Sequence, residues 1–100
     1  MPDSVELLAI YLHLARASGL RRRPHVRDRL LIMAAVAAAK AGLPRIAAWC
    51  REEVLVSNPR HLLQRWATVA DALRDPEFQH FLQHLQKRYS PEAAEARREF

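Results

Sequence analysis

Apolar residues recur along this chain at helical spacing. Within 59–73, Leu62, Trp66, Val69, Ala70 and Leu73 fall at i, i+4, i+7, i+8 and i+11, and Phe78, Phe81, Leu82, Leu85 and Tyr89 repeat the pattern further on. Each set predicts an amphipathic helix with one buried face. The run from Leu30 to Ala39 differs, because it is apolar all round and largely alanine. That pattern suits a central helix approached closely from several sides by other backbones. The first helix is nearly as apolar, with Glu6, His13 and Arg16 as a narrow polar stripe, so it is expected to lean against that centre.

Prolines and glycines punctuate these runs. Proline lacks an N–H and fixes its own φ, so it is tolerated at the first position of a helix and disfavoured inside one. Asn58 before Pro59, Asp75 before Pro76 and Ser90 before Pro91 are suitable N-caps, since their side chains accept from unpaired first-turn amides. Asp3 with Glu6 resembles a capping box, and Gly19 and Gly42, each followed by leucine, read as left-handed C-caps. The map is helices at 3–18, 24–41, 44–56, 59–73, 76–88 and 91–99. Short links between them imply neighbouring antiparallel or steeply crossed packing. The expected fold is all-α: five to six short antiparallel helices, as α-solenoid-like hairpins or a compact helical bundle, in a single domain over 1–100.

Composition agrees and narrows the function classes. The chain has 100 residues, 50% of them hydrophobic, and 2 glycines, enough for one core and too little for most large enzyme scaffolds. The single Cys50 makes neither an intramolecular disulfide nor a cysteine-based zinc site, and the amino terminus does not resemble an export signal, so a cytoplasmic location is expected. Membrane spans need about twenty apolar residues, and no stretch here reaches that length, so no membrane partner is expected.

Offsetting the chain by 32 residues lays Pro44 on Pro76, Ile46 on Phe78, Trp49 on Phe81, Cys50 on Leu82 and Pro59 on Pro91, a faint repeat whose unit is a helix pair. Within 28–61, Ala35, Gly42, Ala47 and Pro59 carry a spacing that resembles one tetratricopeptide repeat. Leu31, Ala38 and Arg51 stand where that family favours aromatic residues, and the proline periods are 35 and then 32. The resemblance implies a non-enzymatic scaffold whose concave face holds a peptide or partner helix.

Charge has a definite address. The formal net charge is +5, of which residues 1–20 carry −1, residues 21–51 carry +7 and residues 52–100 carry −1. The candidate anion- or partner-binding residues are Arg21, Arg22, Arg23, Arg27 and Arg29, because guanidinium forks pair bidentately with phosphates and carboxylates. Arg21 to Arg23 also suit the carboxyl end of the first helix, where cations offset the macrodipole. Arg27 and Arg29 sit near a helix start, where a cation costs about 0.3–1 kcal/mol, partly relieved by Asp28; such a placement against the local field agrees with use by an outside anion, while a solvated face is the usual reading of a charge run. Nucleic acid is the weaker case: no aromatic residue interleaves the basic groups between Tyr11 and Trp49, and the run after Arg29 is too apolar to read bases in a groove.

Catalytic constellations are missing. His80 and His84 share a helix face at i, i+4, but Phe81 stands where a zinc protease needs an acid, so an exposed polar face is expected and no metal. Cys50 falls beside Ile46 and Trp49 on the apparent core face as inert packing, and the adjacent Glu52 and Glu53 point about 100° apart. Trp49 and Trp66 lie on apolar stripes and are expected in the core, where truncation costs about 3–5 kcal/mol. The expected function is therefore a non-enzymatic protein–protein interaction module without cofactor, with a protein or peptide partner. The alternative is an accessory protein that binds nucleic acid or another polyanion through 21–51.

Overall fold

In a computed structural model, residues 3–89 are described. They form α1 (Ser4–Leu20), α2 (Pro24–Lys40), α3 (Pro44–Ser57), a 3-10 turn at Leu62–Arg65, α4 (Val69–Leu73) and α5 (Pro76–Arg88). The fold is all-α, and α2, α3 and α5 each start on a proline. Asp3 caps α1 by accepting the Glu6 amide at 2.9 Å, and Asp75 caps α5 by accepting the Glu77 amide at 2.8 Å. The stretch 91–99, read from the sequence as a sixth helix, lies outside the described residues, as does the Ser90 cap.

The alanine-rich helix is the centre. Every residue of α2 from Leu30 to Ala38 is buried, and α2 touches α1, α3, α4 and α5. Small side chains make this geometry possible, since Ala34, Ala35 and Ala38 are fully covered and let neighbouring backbones approach. On α5, Phe78, Leu82, Leu85 and Tyr89 are buried and Phe81 half-buried, as the periodicity predicts. At the far end the Tyr11 hydroxyl donates to the Tyr89 carbonyl at 2.7 Å, tying α1 to the end of α5 across the core.

The two links around α2 share one geometry. After α1, the Arg23 amide donates to the Ser18 carbonyl and the Arg22 amide to Gly19; after α2, Leu43 donates to Ala38 and Gly42 to Ala39. Each is a Schellman motif followed at once by the proline that opens the next helix. Gly42 takes the left-handed position with φ 75°, as expected, but in the first link that position belongs to Arg22 at φ 58°. Gly19 is thus not a C-cap. It lies inside α1, where an added Cβ would come 3.3 Å from the Arg27 side chain of α2, so Arg27 would have to shift to admit one.

The expected helix at 59–73 is broken. Asn58 closes α3 as its C-cap, a short 3-10 turn follows, Trp66 is extended at φ −118° and ψ 139°, and α4 covers only the last five positions. Local side-chain bonds compete with the helix here: His61 Nδ1 accepts the Leu63 amide at 3.1 Å and Thr68 Oγ1 accepts the Asp71 amide at 3.1 Å. Partners from elsewhere hold the break. The Trp66 indole donates to Asp75 at 3.2 Å and its carbonyl accepts from Arg51 at 2.8 Å.

Candidate functional site

A groove runs between α1 and α3, with α2 as its floor. Its cavity of about 480 Å³ is lined by Leu12, Ala15 and Leu20 of α1, Leu31 of α2 and Trp49 of α3, with Arg16 and Arg27 as its charged members. Trp49 is 53% exposed and Leu20 77% exposed, which corrects the expectation that Trp49 packs in the core. The reason is helical phase. Ala47, Cys50 and Val54 turn toward the core and are buried, whereas Ile46, Trp49 and Val56 lie outward. Trp66 is half-buried, with its ring 5.5 Å from that of Phe78.

The five arginines singled out in the sequence do not converge on one point. Arg21, Arg22 and Arg23 are exposed in the first link. Arg27 faces the groove and bonds Asp28 at 3.4 Å and Glu53 at 3.5 Å. Arg29 lines a different, small cavity beside His25, Asp28 and His61. What the fold does gather is Arg21 and Arg23 with Arg88, around a cavity of about 430 Å³ between the carboxyl ends of α1 and α5 that His13 and Ser18 also line. Arg88 carries no local signal of this role, since only tertiary folding brings the end of α5 to the first link.

A fourth cavity, of about 410 Å³, lies between α3 and the segment 67–70 and has Arg51 in its wall. That guanidinium is committed to the Trp66 carbonyl and to Glu52, and its Nε is buried without a partner. Burial, with the Glu53 charge second, pushes the Cys50 thiol up to about 11, so thiolate is scarce at neutral pH. His80 and His84 meet edge to face on the exposed side of α5, with ring nitrogens 3.3 Å apart. Among the described residues no group of three or more His, Cys, Asp or Glu is placed to hold a metal ion, and no helix is long and apolar enough to cross a membrane.

Compared with known proteins, the chain matches no family model, no curated protein and no solved structure.

Proposed function

We propose that this chain is a non-enzymatic protein-interaction module that receives an amphipathic helix of another protein in the groove between α1 and α3. The observation that carries the reading is the apolar groove itself, with the Trp49 indole and Leu20 exposed on opposite walls. An exposed tryptophan beside an aliphatic floor is the arrangement in which partner helices find anchoring contacts. Arg16 in the wall, which has no ion pair among the described residues, favours a partner whose apolar stripe is flanked by acidic residues, through complementary charge. The tetratricopeptide-like spacing supports the same class of function, since Ala35, Gly42 and Ala47 fall within the hairpin made by α2 and α3. A polyanion surface spread over 21–51 draws less support, because Arg27 and Arg29 face different cavities from Arg21 and Arg23.

Selection from a displayed library of amphipathic helices tests this reading. The chain should enrich sequences with acidic flanks around an apolar stripe. Those helices should bind Trp49→Ser at least tenfold more weakly, with the variant's thermal unfolding within about 1 kcal/mol of the parent, as for an exposed site. Enrichment of no helical sequence, or binders indifferent to Trp49→Ser, would overturn it.

A further inference from the structure

The two cavities that flank α1 use alternate faces of that helix. Leu12, Ala15, Arg16 and Gly19 turn to the apolar groove, whereas His13, Leu14, Ala17 and Ser18 turn to the basic cavity. We propose that the basic cavity is a second, independent site, which binds the phosphate group of a small phosphate monoester.

Arg21, Arg23 and Arg88 line this cavity together with His13 and Ser18, and among the described residues no Asp or Glu is part of its wall. Arg27, Arg51 and Arg65 each pair with a carboxylate, whereas Arg21, Arg23 and Arg88 have no ion pair among the described residues. Three like charges drawn to one concavity repel each other, and a doubly charged anion among them removes that repulsion while accepting their forks bidentately. A carboxylate carries one charge and two acceptor oxygens; a phosphate monoester carries up to two charges and three free oxygens, so it matches this donor set better.

Helix-end electrostatics explain only part of the cluster. Arg21 follows the carboxyl end of α1 and Arg88 lies in the last turn of α5, where cations offset the macrodipole. Arg23 stands at the N-cap of α2 and makes no side-chain capping bond, a place where a cation opposes the dipole. A bound anion reverses that sign and turns the first turn of α2, with Val26 in the cavity wall, into a favourable neighbour. Leu14, Ala17, Val26 and Leu30 add apolar surface to this wall. About 430 Å³ accommodates an organic group on the phosphate, and such a lining gives that group apolar contacts.

Calorimetric titration of the full chain with phenyl phosphate, inorganic phosphate and benzoate tests the proposal. Phenyl phosphate should bind severalfold more tightly than inorganic phosphate, and benzoate at least tenfold more weakly than phenyl phosphate. Arg23→Gln and Arg88→Gln should each weaken phenyl phosphate at least tenfold, while Arg74→Gln, at the opposite end of α5, leaves it unchanged. Three results would overturn the proposal. One is no phosphate binding at all. Another is tight, steeply salt-dependent binding of an RNA oligonucleotide that Arg74→Gln weakens as much as Arg88→Gln does, which marks a diffuse polyanion surface. The last is phosphate binding that appears only after Glu92, Glu95 and Glu99 are changed to glutamine, which assigns the cavity to the chain's own acidic segment. Because Arg88 and Arg23 are not in the apolar groove, these variants leave helix binding there as a separate readout.

Discussion

His61 shows how one side chain couples the fold to pH. Burial, the larger influence, lowers its affinity for a proton below the ordinary value of 6.5, against the opposing pull of Asp28. Its Nδ1 accepts the Leu63 amide, which only the neutral ring can do, and the ring meets Phe81 edge to face with centroids 5.5 Å apart. The unfolded chain therefore binds the proton more readily than the folded one. Between the lowered folded value and 6.5, stability rises with pH; above that window the contribution is fully present, and it is lost as pH falls through the window. Urea unfolding of the parent and of His61→Gln across that range checks the sign: the parent should lose stability toward low pH more steeply than the variant. Parallel curves would show that His61 is not the group responsible. Position 61 carries no such signal in sequence, where it stands in the middle of a stretch that reads as helix.

At the scale of elements, the links decide how α1, α2 and α3 are arranged, and one of them carries strain. Arg22 and Gly42 hold equivalent left-handed positions, but an L side chain there costs about 1–2 kcal/mol that glycine avoids. Arg22→Gly is expected to stabilise the chain by about 1 kcal/mol, and Gly42→Ala to destabilise it by a similar amount, both read from urea midpoints. Opposite or absent shifts would refute the equivalence of the links. This difference also explains a boundary that the sequence places too early. Gly19 is the nearest glycine to the end of α1, yet the helix runs on to Leu20 because the Ser18 and Gly19 carbonyls are satisfied from Arg23 and Arg22. The stretch 59–73 departs from its helical pattern for a related reason. Its apolar spacing is helical, but the bonds that interrupt it come from His61 and Thr68 locally and from Arg51 and Asp75 at a distance; the last two depend on the fold already being formed. In α5 the cap, the proline and the apolar face all agree, so sequence and structure give the same bounds.

The molecule as a whole is organised by the smallness of α2. Ala34, Ala35 and Ala38 have no exposed surface, and close packing leaves no room for larger groups. Ala35→Leu should cost about 1–3 kcal/mol through overpacking, measurable as a drop in the urea midpoint; a neutral result would mean that the centre is loosely packed. By itself the sequence determined that the fold is all-α, that three of the helices begin at Pro24, Pro44 and Pro76, and that the apolar run from Leu30 to Ala39 is central, buried but for the half-covered Ala39, since caps, proline geometry and an uninterrupted apolar run act locally. Only the tertiary structure decided which apolar faces stay uncovered and which charges meet. α3 carries two neighbouring apolar faces, and α2 covers the one with Ala47, Cys50 and Val54, leaving Trp49 to the groove. Arg88 joins Arg21 and Arg23 because α5 ends beside the end of α1, a proximity set by how helices cross the core and written in no single stretch of sequence.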